Sequence, residues 1–388
     1  MKGTFHFEVN RNLIIPIIIL ASGIFALLTI TNLYSFRAKD CSAIVLDKAL
    51  FQDKTSNTES GSFSVDKIVR FTIPYSVKAY DLLDLNTAAL MFRQTQDDSS
   101  SLLQTGIYDL AKGSFKDGLL QEERSFEGTI QVSPDGKTML TSFYGTGKEF
   151  GKLYVGDIVH KKNLDILDNV LISKWLPDGQ KFVGVDDYLF IYDIATGQRE
   201  NLYKISDYNL NPSKYSLNLN ILNSGDTICL TGNMSQGNSK VILFNLKTKR
   251  QKTYRAQGIL SFYDSFPIGD NSIAYIGIEK GEYGLFTYDF SSNKLSQLIN
   301  VPNDQQKFTE FCLSPDNRKI AYSVIGMNGV NQIHVASLNN KQVTDDEIVY
   351  QDSKVIQNMM WTKDSSVLYY LQNSADSAIL GRILFKNL

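Results

Sequence analysis

A turn device returns through this chain at a spacing of 43 to 48 residues. It is clearest at Ser133-Pro134-Asp135-Gly136-Lys137, where a strand-like run is broken by Pro-Asp-Gly and an apolar run resumes at Met139-Leu140. It recurs at Leu176-Pro177-Asp178-Gly179, Asn223-Ser224-Gly225-Asp226, Ile268-Gly269-Asp270-Asn271, Ser314-Pro315-Asp316-Asn317 and Thr362-Lys363-Asp364-Ser365. A regular period of about 40–50 residues marks a repeat array whose units bury their apolar faces only against one another. That length accommodates four short strands, the content of one propeller blade.

In the unit around Pro177 the predicted strands, from inside outward, are Leu171–Leu176, Lys181–Val185, Tyr188–Ile194 and Arg199–Tyr203. The third ends on Tyr192-Asp193-Ile194-Ala195-Thr196-Gly197, a hairpin in which Asp bonds turn amides and Gly takes a positive φ. Related endings occur at Asp109, Asp157, Asn245 and Asp289. Their fixed position assigns these acids to turns, not to acid–base work.

An earlier, degenerate unit (Val77–Leu83, Ala88–Arg93, Leu103–Leu110, Ser114–Leu120) brings the total to seven, with six or eight blades as the alternatives. The last unit (Ile356–Trp361, Val367–Leu371, Ile379–Phe385) ends without an outer strand. Val65–Ile73 is strand-like and has no place in the first unit. Pairing it with the C-terminal strand closes the ring and removes two open edges.

Ahead of the repeats, Leu13–Leu33 carries no charge. As a helix it would span roughly 31 Å, enough for a bilayer core. A cleaved signal peptide is the competing reading, but no small-residue cleavage site follows, and Ala38-Lys39-Asp40 is a poor lipoprotein context before Cys41. The expected organisation is a tail (1–12), a transmembrane helix (13–34), a juxtamembrane segment and Ser/Thr-rich linker (35–64), and a propeller (65–388). Flanking charges are nearly balanced, with Lys2 and Arg11 before the span and Arg37 and Lys39 after it. A short tail followed by a large domain favours an extracytoplasmic propeller.

The net charge of −2 argues against nucleic acid as a partner. Three cysteines make no disulfide framework; Cys229 and Cys312 stand in apolar runs that no basic residue activates. Gly232-Asn233-Met234-Ser235-Gln236-Gly237 has the wrong spacing for a hydrolase elbow. Gly145-Thr146-Gly147-Lys148-Glu149-Phe150-Gly151-Lys152 fails the phosphate-loop spacing. His6, His160 and His334 are scattered, so no metal and no cofactor is expected.

Ser133-Pro134-Asp135-Gly136-Lys137 and Ser314-Pro315-Asp316-Asn317-Arg318-Lys319-Ile320-Ala321-Tyr322 resemble the TolB-type propeller repeat, which is related in shape to the WD-repeat blade. The resemblance covers roughly residues 65–388. It implies propellers used for protein–protein contact in the bacterial envelope, and propellers attached to prolyl peptidases. The chain departs from the TolB pattern in having seven units where that family has six.

In a propeller, the turns after the first and third strands of each blade share one face; the connections after the second and fourth share the other. The first face here is stereotyped. Irregular insertions fall on the second, at Tyr144–Gly151, Ser206–Tyr215, Gly232–Asn238, Glu279–Gly284, Val301–Lys307 and Gly326–Asn331. Varied loops on one face of a repeat scaffold are the usual binding positions. Tyr144, Phe150, Tyr208, Tyr215 and Tyr283 are the expected contact aromatics, with Lys148 and Glu282 adding polar specificity. The equally weighted alternative is that the aromatics pack the loops down. The expected function is a membrane-anchored scaffold binding another envelope protein or a cell-wall component. The alternative is a propeller lyase or glycan hydrolase with its site at the channel mouth.

Overall fold

Seven antiparallel sheets make up the chain, six built from four strands that pair in sequence order and one that joins the first two strands to the last three. The computed structural model describes residues 43–44, 62–93, 102–125, 127–145, 151–210, 217–222, 224–234, 239–256, 264–279, 282–299, 307–326, 329–339, 341–374 and 376–386. The predicted transmembrane helix at 13–34 lies outside them, and no helix among the described residues is long and apolar enough to cross a membrane.

Two strands precede the blades, β1 (Ala43–Ile44) and β2 (Val65–Ile73). Blade 1 is β3 (Ser76–Asp84), β4 (Thr87–Arg93), β5 (Leu102–Asp109) and β6 (Ser114–Arg124); blade 2 is β7 (Glu127–Val132), β8 (Thr138–Tyr144), β9 (Gly151–Asp157) and β10 (Lys162–Val170). Blade 3 is β11 (Ile172–Trp175), β12 (Lys181–Val185), β13 (Tyr188–Asp193) and β14 (Gln198–Lys204); blade 4 is β15 (Leu217–Ile221), β16 (Thr227–Asn233), β17 (Ser239–Asn245) and β18 (Gln251–Ala256). Blade 5 is β19 (Asp264–Ile268), β20 (Ser272–Glu279), β21 (Glu282–Asp289) and β22 (Lys294–Ile299); blade 6 is β23 (Lys307–Leu313), β24 (Lys319–Ile325), β25 (Asn331–Asn339) and β26 (Gln342–Asp352). Blade 7 holds β27 (Gln357–Trp361), β28 (Val367–Asn373) and β29 (Ala378–Phe385), then β2 and β1. The molecule is a seven-bladed β-propeller.

Ring closure follows the expected pairing. β2 runs antiparallel to β29 from Val65↔Phe385 to Ile73↔Ala378, and Lys386 N–H donates to Ser64 O at 2.7 Å. β1 adds a short fifth strand, Ala43↔Val69 and Ile44↔Ile68.

The turn between first and second strands shows why the repeat survives loss of its signature residues. In blade 2, Ser133 N–H donates to Thr138 O, and the Ser133 hydroxyl donates to Asp135 Oδ1 at 2.6 Å. Gly136 takes the positive φ of 74°. Blade 6 repeats the geometry with Ser314, Asp316 and Asn317 (φ 54°), and blade 7 with Thr362, Asp364 and Ser365 (φ 61°). Asn and Ser replace Gly because one left-handed residue is tolerable where local hydrogen bonds hold it. Blade 5 differs: Ile268 pairs directly with Ser272, which leaves a shorter connection. At the third-to-fourth-strand turns, Asp109 accepts from Ala111 and Lys112 N–H, Asp193 from Thr196 N–H, and Asp289 from Ser291 and Ser292 N–H. The repeated acids are turn caps, as expected.

The core lies in the wedges between neighbouring blades, where facing sheets interdigitate. Phe71, Ile73, Leu371 and Leu380 of blade 7 meet Val77, Leu90 and Phe92 of blade 1. Ala274, Ile276 and Leu285 of blade 5 meet Phe311, Ile320 and Val324 of blade 6. A Cβ on Gly381 would lie 2.1 Å from Cζ of Tyr370, so the ring crosses the neighbouring strand only because no side chain is there. Cys229 and Cys312 are buried in blades 4 and 6, and burial pushes the Cys229 thiol well up.

Candidate functional site: the loop-bearing face and the channel wall

The seven residues expected to form the binding surface do not share one environment. Tyr144 closes β8 and is only 5% exposed; its hydroxyl donates to Leu171 O at 2.8 Å, and its own carbonyl accepts from the Ser125 hydroxyl. The phenol ties the end of β8 to the start of blade 3. Tyr208 ends a 3-10 turn (Ile205–Tyr208) and is half-buried. Its ring meets Tyr203 edge-on at 5.9 Å, its hydroxyl donates to Gln251 Oε1, and its carbonyl takes a hydrogen bond from Lys240 Nζ. Tyr283, 39% exposed on β21, donates to Phe308 O of blade 6 at 3.1 Å.

Lys148, Phe150 and Tyr215 lie outside the described residues, as does the side chain of Glu282. The backbone of Glu282 pairs with Glu279, so strands β20 and β21 extend through most of the expected Glu279–Gly284 insertion. The described aromatics thus stand on three separate blades.

The first strands of successive blades touch one another and form the wall of the central channel. Polar side chains stitch this wall. Asp81 Oδ2 accepts from Val132 N–H at 2.7 Å, joining blades 1 and 2. Gln131 donates to Ser173 O and accepts at its carbonyl from Trp175 Nε1, joining blades 2 and 3. Asn220 donates to Ser265 O (blades 4 and 5), and Glu310 accepts from Met359 N–H at 2.6 Å (blades 6 and 7). Tyr80 donates to Asn358 O at 2.6 Å, closing blade 7 onto blade 1. Asp81 and Glu310, both on the inner strands, are thus engaged by backbone amides. Burial dominates Asp81 and raises its carboxyl from 3.8 to about 6, although N–H groups of Val132 and Leu82 pull the other way.

Between blades 2 and 3, on the loop-bearing face, lies a cavity of about 500 Å³ lined by Asp168, Asn169, Asp186, Asp187, Tyr188, Arg199 and Asn201. Sequence reasoning missed it. Its parts come from the end of one blade, a tight turn and an outer strand, and the usable signal was the doublet Asp186-Asp187 in a turn with no Gly. Among the described residues no group of three or more His, Cys, Asp or Glu is placed to hold a metal.

This fold defines the class of protein as a seven-bladed β-propeller. No family model and no curated relative matches the chain. Similar solved structures include a prolyl endopeptidase, from a study of two such enzymes and their inter-domain dynamics, at 11% identity and TM-score 0.54, covering 81% of this chain and 51% of that one. A post-proline cleaving enzyme from Rickettsia typhi matches at 13% identity and TM-score 0.52, covering 81% and 53%. The Cps50 (Swd1) β-propeller domain of Myceliophteria thermophila matches at 10% identity and TM-score 0.50, covering 84% and 98%. The chain spans about half the length of the two peptidase chains and nearly all of the propeller domain. At these identities the likeness concerns the fold.

Proposed function

We propose that the protein is a membrane-anchored β-propeller, held outside the cytoplasm by residues 13–34, that acts as a binding scaffold for another envelope protein or a cell-wall component. The observation that carries this reading is the asymmetry of the two faces. One carries turns that share an internal side-chain hydrogen bond in blades 2, 6 and 7; the other carries connections whose sequences differ from blade to blade, with Tyr208 and Tyr283 among them. Scaffolds that vary on one face bind there. The uncharged run Leu13–Leu33 supports the anchor.

The test pairs topology with capture. Protease added to intact, wall-stripped cells should digest the propeller, and the detergent-extracted chain should retain a partner that the double variant Tyr208→Ala/Tyr283→Ala loses. Protection until lysis would refute the orientation. Undiminished capture by the double variant would move the site elsewhere.

A propeller enzyme acting at the channel has one observation in its favour. Burial raises the Asp81 carboxyl on the inner wall to about 6, the direction a general acid needs. Against it, Asp81 Oδ1 and Oδ2 each already accept a backbone N–H, from Leu82 and Val132 at 2.7 Å.

A further inference from the structure

The cavity between blades 2 and 3 contains a prearranged polar frame. Arg199 lies 3.9 Å above the Phe190 ring and donates Nη1 to Asp186 Oδ2 at 2.7 Å, Nη2 to Asp186 Oδ1 at 2.9 Å and Nε to Asn201 Oδ1 at 2.7 Å. Asp186 is buried and also accepts Tyr188 N–H at 2.7 Å. A guanidinium has five N–H donors, and three are used. Among the described residues nothing accepts the remaining hydrogen on each terminal nitrogen, which leaves both for a ligand. Around this fixed pair, Asp187 and Asp168 supply carboxylate acceptors, the Asn201 and Asn169 amides supply donors, and Tyr188 supplies a ring and a hydroxyl. Asn169 holds a left-handed backbone, φ 64°, within a bulged stretch of β10 that lifts Asp168 and Asn169 out of the ladder.

Charge narrows the ligand. Arg199 neutralises Asp186, which leaves Asp168 and Asp187 to disfavour an anion; among the described residues no group of three or more His, Cys, Asp or Glu is placed to hold a metal cation, and the amide donors beside the two carboxylates call for groups that accept as well as donate. What the lining suits is a neutral molecule whose every polar group both donates and accepts. Hydroxyls have that character. About 500 Å³ falls within the roughly 300–1,000 Å³ of small-ligand pockets. We infer that this cavity is a saccharide-binding site for a neutral, polyhydroxylated sugar unit. The inference rests on the loop-bearing face being the working face, and of the two partner classes proposed above it selects the cell-wall component.

The full chain in detergent micelles, as wild type, Asp187→Ala, Asn201→Ala and Lys137→Ala, is applied to immobilised maltotetraose, cellotetraose and N-acetylated chitotetraose. Melting temperatures check that each variant is folded. Wild type should be retained by at least one of the three, binding should weaken about tenfold or more in Asp187→Ala and Asn201→Ala, and Lys137→Ala, on the exposed turn face, should bind as wild type does. Retention by none of the sugars overturns the inference, as does retention indifferent to both cavity variants. If only Lys137→Ala abolishes retention, the sugar is bound on the turn face and the loop-face scaffold reading falls with the inference; in the other two failures that reading stands.

Discussion

Gly136 and Gly381 separate two reasons for having no side chain. Gly136 has φ 74° and nothing within 4 Å of a built Cβ, so Gly136→Ala meets only backbone strain, about 1–2 kcal/mol. At Gly381 a Cβ would collide with the buried Tyr370 ring, so Gly381→Ala forces repacking at a cost of roughly 1–3 kcal/mol or more. Chemical denaturation should also show that Tyr370→Ala relieves most of the Gly381→Ala penalty and none of the Gly136→Ala penalty. Asp81 carries the clearest pH signature. Its carboxyl rises to about 6 in the folded chain, above the roughly 3.9 of an unfolded Asp. The folded state therefore holds that proton more tightly, and Asp81's contribution is greatest below about pH 4 and is lost as pH rises through 6. Wild type should lose stability relative to Asp81→Asn from pH 4 to pH 7; an unchanged difference, or a relative gain by wild type, would remove the burial argument. At this scale the sequence showed what is local. Asp193 and Asp289 were readable as turn caps because their partners are two or three residues away. The burial of Tyr144 was not readable, because its partner Leu171 belongs to the next blade.

Among the elements, β2 was legible as a strand left over after seven units had been counted, and it pairs where that count requires. The spacing works as a signal because every blade must cross the same radius with four strands. Elements whose boundaries depend on partners were less legible. β6 runs on to Arg124, beyond the predicted Leu120, because bulges against β5 at Gly106 let the outer strand take up extra residues. The connection after β20 looked like an insertion, yet its strands pair through Glu279↔Glu282. β2 also supplies an element-scale prediction. Deleting 65–73 exposes the edges of both β29 and the wedge against blade 1, where Phe71 and Ile73 are buried. The deleted protein should aggregate or melt far below wild type, whereas removing 45–61 should change melting little. Equal melting of the two deletions would mean that β2 does not hold the ring.

For the whole molecule, the fold was legible and the working surface only partly so. A propeller places its binding surface from loops far apart in the chain; Asp168, Asp187 and Arg199 come together only because blades 2 and 3 are wedged side by side. The most direct measurement is site-specific photocrosslinking in intact cells, with the reactive residue at Tyr283 or Asp187 on the loop-bearing face, or at Lys137 on the turn face. Discrete adducts from Tyr283 or Asp187, and none from Lys137, are the predicted result. Adducts from Lys137 alone would contradict the account.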